Sequence, residues 1–258
     1  MCELFGISTK TTYPANELLR SFFTHSKEHH SGWGIAVFHN RYASIEKEPV
    51  KALDSRYLKE RLRCLDQTGD MLAHIRLATV GYSVYENCHP FAGYDASGKQ
   101  WVLIHNGTLF GASFLSRYSS TQIGTTDSEQ LMLHILDLMD QQIGQKERAL
   151  SFEERFAILD QITCRVSDGS KLNYLLHDGE YLYVHSNFID SLYYLEDGDS
   201  VIFSTQPLLV KERWKPFPKN RLHAYQNGAC VAVGTDHGHT FTFTEEQLQY
   251  LYTAFATL

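Results

Sequence analysis

Short apolar runs rich in β-branched and aromatic residues recur along the chain, and Gly, Asn or Asp bounds most of them. Runs of this kind predict β-strands. They are CELFGIS, GWGIAVFHN, YASIEKE, MLAHIRLAT, WVLIHNG, LNYLLHDG, YLYVHSN, SVIFSTQP and GACVAVG, the last leading into TFTFT. The HDGE segment between Leu176 and Tyr181 predicts a hairpin turn, because Asp-Gly supplies the positive φ angles that a tight connection needs.

Four other segments carry apolar residues at helical spacing, namely 15–27, 55–66, 127–143 and 152–166. In the third segment this spacing predicts one buried face, formed by Leu131, Ile135, Leu138 and Met139. Thr126, with Glu129 three residues later, predicts a capping box at the start of that helix. Many strands with two pairs of helices indicate an α+β domain built in layers, and the pattern leaves the strand pairing open.

Composition narrows the classes of function. Of the 258 residues, 43% are hydrophobic and 21% are charged, with a net charge of −7, which is typical of a globular protein. The negative balance and the lack of a Lys/Arg-rich run argue against a nucleic-acid partner. No apolar run approaches the roughly 18 residues of a membrane span, and the N-terminus does not resemble a secretory signal, so no membrane association is expected.

The chain is expected to form one domain over residues 1–258, because no repeat or low-complexity linker interrupts it. Its five cysteines are scattered and include no C-x-x-C pair, which indicates a reducing, cytoplasmic setting. The pairs His29–His30 and His237–His239 lack a third ligand at a recognisable spacing, so they are expected in loops and no metal is predicted. No phosphate-binding loop or nucleotide fingerprint is present, and no cofactor is implied.

Cys2 is a candidate nucleophile. Removal of Met1 would leave a thiol and a free α-amine on one residue, and an amine with a pKa near 7.7–8 can accept the thiol proton. The plainer interpretation is that Cys2 is a small buried residue that begins a strand.

The strand VLIHNGTLF ends in a candidate oxyanion hole. The side chain of Asn106 can offer an N–H group, and Gly107 can offer a backbone N–H that no Cβ obstructs. Such donors contribute about 3–4 kcal/mol to a transition state. An ordinary Asn-Gly turn explains the same residues.

Two charged residues could hold the ends of an α-amino acid. Arg76 ends an apolar strand between Ile75 and Leu77, and a guanidinium there suits a substrate carboxylate or a structural ion pair. Asp127 begins the predicted helix, where it can accept hydrogen bonds from a substrate ammonium or simply favour the helix dipole.

These motifs together resemble class II glutamine amidotransferases, in particular the stand-alone, YafJ-like type. The resemblance rests on Cys2 with ELFGIS, then HHSGWGIAVF, HIRLATVG, NCHPF, VLIHNGTLF and GTTDSE in that order, and on the later FSTQPL with Trp214 and Phe217. It covers nearly the whole chain. It implies an N-terminal-nucleophile hydrolase fold: a four-layer αββα sandwich with two antiparallel sheets.

The resemblance also implies roles. Cys2 is the nucleophile with its own amine as base, and Asn106 and Gly107 form the oxyanion hole. Arg76 binds the α-carboxylate of glutamine and Asp127 its α-amino group. Four more residues are candidates near the site. Trp33 and Gly34 lie in a loop variant that is shorter than that of the large synthases, and Trp33 is expected to form a wall of the pocket. Thr79 and His89 are expected either next to the site or in the core.

The expected reaction is hydrolysis of the γ-amide of glutamine or another γ-glutamyl compound through a Cys2 thioester, which releases glutamate and ammonia or an amine. One alternative is a glutaminase subunit that delivers ammonia to a separate synthase partner, because the residues after Asp127 suffice only to complete the sandwich. Two rival interpretations are an N-terminal cysteine hydrolase of bile-salt or penicillin-type amides and a catalytically silent binding protein.

Overall fold

Thirteen strands and five α-helices make up the part of the chain that the computed structural model describes, residues 2–64, 67–78 and 81–256. The strands are β1 (Glu3–Thr9), β2 (Trp33–His39), β3 (Tyr42–Glu48), β4 (Met71–Ile75), β5 (Phe91–Tyr94), β6 (Gln100–Thr108), β7 (Lys171–His177), β8 (Leu182–His185), β9 (Tyr193–Asp197), β10 (Ser200–Ser204), β11 (Lys215–Pro216), β12 (His223–Gln226) and β13 (Ala229–Val233). The helices are α1 (Asn16–Thr24), α2 (Arg56–Cys64), α3 (Asp127–Lys146), α4 (Phe152–Ser167) and α5 (Glu245–Ala256). None of these helices is long and apolar enough to cross a bilayer.

The strands form two antiparallel sheets. The seven-stranded sheet has the order β11-β9-β10-β1-β4-β2-β3, and the six-stranded sheet has the order β13-β12-β8-β7-β6-β5. Strand β1 therefore lies in the middle of its sheet, and β6 and β7 pair with each other in the second sheet. This arrangement places β1, which follows Cys2 directly, at the centre of its sheet rather than at an edge.

Three separate apolar clusters fill the spaces between four layers. Along β1, Phe5 and Ile7 point to the side of α1 and α2, whereas Leu4 points to the other sheet. Strand β6 alternates in the same way, with Leu103 in the cluster that α3 and α4 cover and Ile104 between the sheets. Because successive side chains of a strand face opposite sides, each sheet packs on both faces. The four-layer αββα sandwich is thus confirmed.

Most of the predicted elements are present, with differences at their ends. The HDGE hairpin joins β7 to β8, and Gly179 adopts a φ of +85°. The segment 15–27 is an α-helix only to Thr24 and continues as a 3-10 turn. The end of the segment 55–66 lies outside the described residues. TFTFT is not a strand: Phe241 packs against Phe110 and Phe188 instead.

Other elements were not predicted, namely β5, β9, β11, β12 and α5. The capping box at the start of α3 is half right. The hydroxyl oxygen of Thr126 accepts a hydrogen bond from the backbone N–H of Glu129 at 3.2 Å. The Glu129 carboxylate, however, accepts from the backbone N–H groups of Ile123 and Gly124 instead of from that of Thr126. The start of α3 is therefore tied to the loop that precedes it. A complete capping box begins α4, between Ser151 and Glu154.

Several buried histidines lie in the sheets or directly beside them. The rings of His74 and His89 stack with centroids 4.0 Å apart, and neither ring nitrogen of His89 has a hydrogen-bond partner among residues 2–64, 67–78 and 81–256. Burial lowers the pKa of His74 to about 3 and that of His89 well below its usual value. Burial likewise lowers the pKa of His185 to about 3. These imidazoles are neutral in the folded protein at pH 7.

Acid is therefore expected to destabilise the fold. The unfolded chain binds protons on these histidines near pH 6.5 while the folded chain does not, so stability falls as the pH drops below about 6.5, by up to about 1.4 kcal/mol per pH unit for each histidine. Urea unfolding between pH 7.5 and 5 measures this slope. His89→Phe should make it shallower, and the exposed His39→Phe is the matched control with no effect; an unchanged slope in His89→Phe would contradict the assignment.

Candidate active site

Cys2 lies one residue before β1, and the pairing of that strand holds it in place. The N–H of Leu4 donates to Oγ1 of Thr205 at 2.6 Å, and Glu3 pairs with Ile75 of β4. The thiol of Cys2 donates to the carbonyl oxygen of Leu77 at 3.4 Å. The second residue of the chain is thus fixed by its neighbours on both sides, unlike an ordinary frayed terminus.

A small cavity beside Cys2 contains the candidate oxyanion donors. It is lined by Cys2, Leu77, Asn106, Gly107, Thr108, Lys171, Phe243 and Leu251. Its free volume is about 10 Å³, close to what a single water molecule needs. The structure thus brings Cys2, Asn106 and Gly107 together, in a form that leaves little space next to the sulfur.

The end of β6 presents Asn106 and Gly107 to this cavity. Oδ1 of Asn106 accepts a hydrogen bond from Nζ of Lys171 at 3.2 Å. A Cβ at Gly107 would lie 1.9 Å from the carbonyl oxygen of Lys171. Only glycine allows β6 and β7 to approach so closely at this position, and so the residue type follows from strand packing as well as from any catalytic role.

Arg76 follows β4 and lies beside Cys2, because the antiparallel register that pairs Glu3 with Ile75 continues by one residue. Its guanidinium is buried and donates to the carbonyl oxygens of Ser31, Gly81 and Tyr82, at 3.4, 3.2 and 3.0 Å. Burial lowers the pKa of Arg76, and the nearby Cys2 is the largest influence in the opposite direction. An arginine keeps its positive charge despite such a shift, so a fixed cation lies close to the thiol.

Asp127 begins α3, and its carboxylate holds the chain that follows β6. Oδ2 accepts from the N–H of Leu109 at 2.9 Å. A second cavity of about 390 Å³ lies here, lined by Thr108, Leu109, Phe110, Asp127, Glu246, Gln247 and Tyr250. Thr108 lines both cavities, so the carboxylate of Asp127 and the thiol of Cys2 border adjoining spaces.

The remaining residues singled out in the sequence lie elsewhere. Trp33 is fully buried in the core on the α1 side, where its ring meets Phe23 edge to face. Gly34 permits close packing of backbones, because a Cβ there would lie 2.0 Å from the carbonyl oxygen of His89. His89 is stacked on His74. None of these three borders the Cys2 cavity in the described part of the chain, and Thr79 lies outside the described residues.

Two features of the site were not predicted from the sequence. Lys171 resembles a solvated charge at the start of a strand, and only the pairing of β7 with β6 brings it to Asn106. The second feature is the C-terminal segment, which supplies Phe243 and Leu251 to one cavity and three residues of α5 to the other. The apolar face of α5 is a signal that helical periodicity could have found.

No group of three or more His, Cys, Asp or Glu side chains in the ranges 2–64, 67–78 and 81–256 could hold a metal ion. The five cysteines are all unpaired. The chemistry available at this site is that of a thiol with amide, guanidinium, ammonium and carboxylate groups around it.

Comparison with known proteins places the chain in a family. The family model "Glutamine amidotransferases class-II" matches residues 1–197, so the chain belongs to the class II glutamine amidotransferases. An uncharacterized protein of Methanocaldococcus jannaschii is 30% identical over 90% of this chain and 71% of its own. Two proteins named "putative glutamine amidotransferase" are also similar: one from Haemophilus influenzae (26% identity, 91% of this chain and 88% of that protein) and YafJ from Escherichia coli K12 (27%, 70% and 71%).

Solved structures show the same fold. A predicted glutamine amidotransferase from Pseudomonas aeruginosa superposes with a TM-score of 0.61 at 19% identity, over 90% of this chain and all of that one. Glutamine phosphoribosylpyrophosphate amidotransferase from B. subtilis superposes with a TM-score of 0.62 at 18% identity, over 89% of this chain but 48% of that enzyme. The N-terminal-nucleophile sandwich expected from the sequence is the fold of these proteins.

Helix α5 is expected to limit access to Cys2, because Leu251 fills space in its cavity. Leu251→Ala should therefore speed alkylation of Cys2 by iodoacetamide, measured by mass spectrometry of the peptide that contains Cys2. Leu248→Ala is the matched control, since Leu248 lies on the same helix, is 40% exposed and does not line the cavity. Equal rates in the two variants would show that α5 is not the barrier.

Proposed function

We propose that this protein hydrolyses the γ-amide of glutamine, or of another γ-glutamyl compound, through a thioester on Cys2. The observation that carries the proposal is the single cavity that brings Cys2 to Asn106 and Gly107, with Arg76 beside the thiol. Membership of the class II family supports the same reaction.

The reaction begins with a proton transfer within Cys2. Once Met1 is removed, the α-amine accepts the thiol proton, directly or through a water molecule. The sulfur attacks the γ-carbonyl carbon, and the side-chain N–H of Asn106 and the backbone N–H of Gly107 stabilise the resulting oxyanion. The C–N bond breaks and the leaving amine takes the proton from the α-ammonium. Water then attacks the thioester, which releases glutamate and restores the thiol.

The charged residues select a glutamate head group. The guanidinium of Arg76 pairs with the α-carboxylate, and the carboxylate of Asp127 accepts from the α-ammonium. The cavity of about 390 Å³ next to Asp127 is large enough for the head group to approach from that side. Lipophilic acyl amides would have no use for either charge, which favours the γ-glutamyl class over bile-salt or penicillin-type substrates.

The first test is glutamate release from glutamine. Cys2→Ala is expected to reduce the rate to background, because no other thiol lines the cavity in the described chain, whereas Cys164→Ala should leave it unchanged. Mass spectrometry of the active protein should find Cys2 at the N-terminus. Full activity in a chain that retains Met1 would exclude the α-amine as the base.

The second test concerns the head group. Asp127→Asn removes the charge yet keeps an oxygen for the N–H of Leu109, so the fold should persist. Loss of a charged hydrogen bond costs about 1.5–3 kcal/mol, and kcat/KM for glutamine should fall roughly 10- to 150-fold. N-acetylglutamine, which has no ammonium, is the matched control substrate and should be turned over equally by both proteins. A similar loss with both substrates would contradict the role of Asp127.

Delivery of ammonia to a separate synthase is the second candidate function. It is supported by the B. subtilis amidotransferase, in which the part similar to this chain is 48% of the protein. A screen of glutamine, γ-glutamyl dipeptides and glutathione discriminates the two, because a hydrolase of γ-glutamyl compounds accepts bulky leaving groups and an ammonia donor prefers glutamine. The unpaired cysteines support a reducing compartment such as the cytoplasm for either function.

A further inference from the structure

A buried lysine forms part of the wall of the Cys2 cavity. Lys171 is the first residue of β7 and is only 1% exposed. Its Nζ lies 3.2 Å from Oδ1 of Asn106 and 5.0 Å from the centre of the Phe188 ring. Cys2 and Glu3 are the neighbouring groups whose charges favour the ammonium form.

Burial of this lysine is costly. Lysine is almost never fully buried unless its charge has partners, because an ammonium removed from water loses its hydration. Burial lowers the pKa of Lys171 to about 8, so the ammonium still predominates at pH 7. The free-energy cost of burying this charge must therefore be offset by what the ammonium contributes at the site.

The contact with Lys171 decides the orientation of the Asn106 amide. An ammonium can only donate hydrogen bonds, whereas a carboxamide has one accepting and one donating end. The end that faces Lys171 must therefore be the oxygen, and the NH₂ group is turned away from it. We infer that Lys171 is a positioning residue, which holds the Asn106 N–H groups toward the oxygen of the amide that Cys2 attacks. The inference rests on the proposed function, in which Asn106 is an oxyanion donor.

The same contact makes Asn106 a stronger donor. Linked hydrogen bonds polarise one another, and the effect is larger in a buried site than in water. A cation on the amide oxygen draws electron density from the NH₂ group, so its N–H bonds bind a negative oxygen more tightly. Because that charge develops only as the sulfur attacks, Lys171 acts on kcat rather than on substrate binding.

Substitution of Lys171 tests this role in the whole protein. Lys171→Met keeps a side chain of similar length and removes the donor, and it is expected to lower kcat for glutamine roughly 10- to 100-fold, less than the roughly 10²- to 10³-fold cost of deleting an oxyanion donor. KM should change by less than about threefold, because Arg76 and Asp127 still hold the head group. Lys171→Arg keeps the cation and should restore part of kcat.

A double-mutant cycle separates positioning from a merely structural role. In an Asn106→Ala background the amide is gone, so Lys171→Met should lower kcat by less than about twofold. Equal losses of kcat in both backgrounds, or a change in KM alone, would overturn the inference.

The outcomes also distinguish this inference from the proposed function. If the unchanged protein releases glutamate from none of the γ-glutamyl amides, the proposed function fails before Lys171 is tested. If it is active and the two losses are additive, only the role of Lys171 fails. Should Lys171→Met not fold, Lys171→Gln carries the same cycle. It keeps a donor without the charge, and its smaller loss of kcat should again vanish in the Asn106→Ala background.

Discussion

The register of β1 between β4 and β10 is the constraint on which the site depends. All seven residues of β1 are buried, and the pairing of Glu3 with Ile75 and of Phe5 with Ser204 leaves the strand no freedom to slide. A shift by one residue would exchange the core faces of the strand and move Leu4 out from between the sheets. The position of Cys2 beside Arg76 is a direct result of this register, because the pairing of Glu3 with Ile75 sets the residues that precede and follow them opposite each other.

The second sheet contributes through the pair β6–β7. Where β6 ends and β7 begins, the two strands come so close that Gly107 has no space for a side chain. The same pairing places Lys171 in the interior next to Asn106. In the proposed reaction the two sheets supply different parts: Cys2 and Arg76 come from one sheet, and Asn106 and Gly107 come from the other. The apolar cluster between the sheets, which includes Leu4 and Ile104, fixes their separation and so the distance between these parts.

The sequence predicted the layered α+β class, most strands and four of the helices from local periodicity. It also singled out Cys2, Asn106 and Gly107, which line one cavity, Asp127, which lines the adjoining one, and Arg76, which lies beside Cys2. It did not predict that Trp33 packs in the core, because its partner Phe23 lies in a different element. Strand β11 was not predicted, because its two residues are too few to show a periodicity. The role of Lys171 was not predicted, because its burial results from the pairing of β7 with β6, which the local sequence does not reveal.

The region that matches the family model ends at residue 197, yet Phe243 and Leu251 border the sulfur and Tyr250 borders the larger cavity. The candidate reacting groups Cys2, Asn106 and Gly107 lie in the part that matches the family model, and residues beyond it complete both cavities. Under the proposed function, substitutions in that later part would change which compounds reach Cys2 without changing the reacting groups themselves.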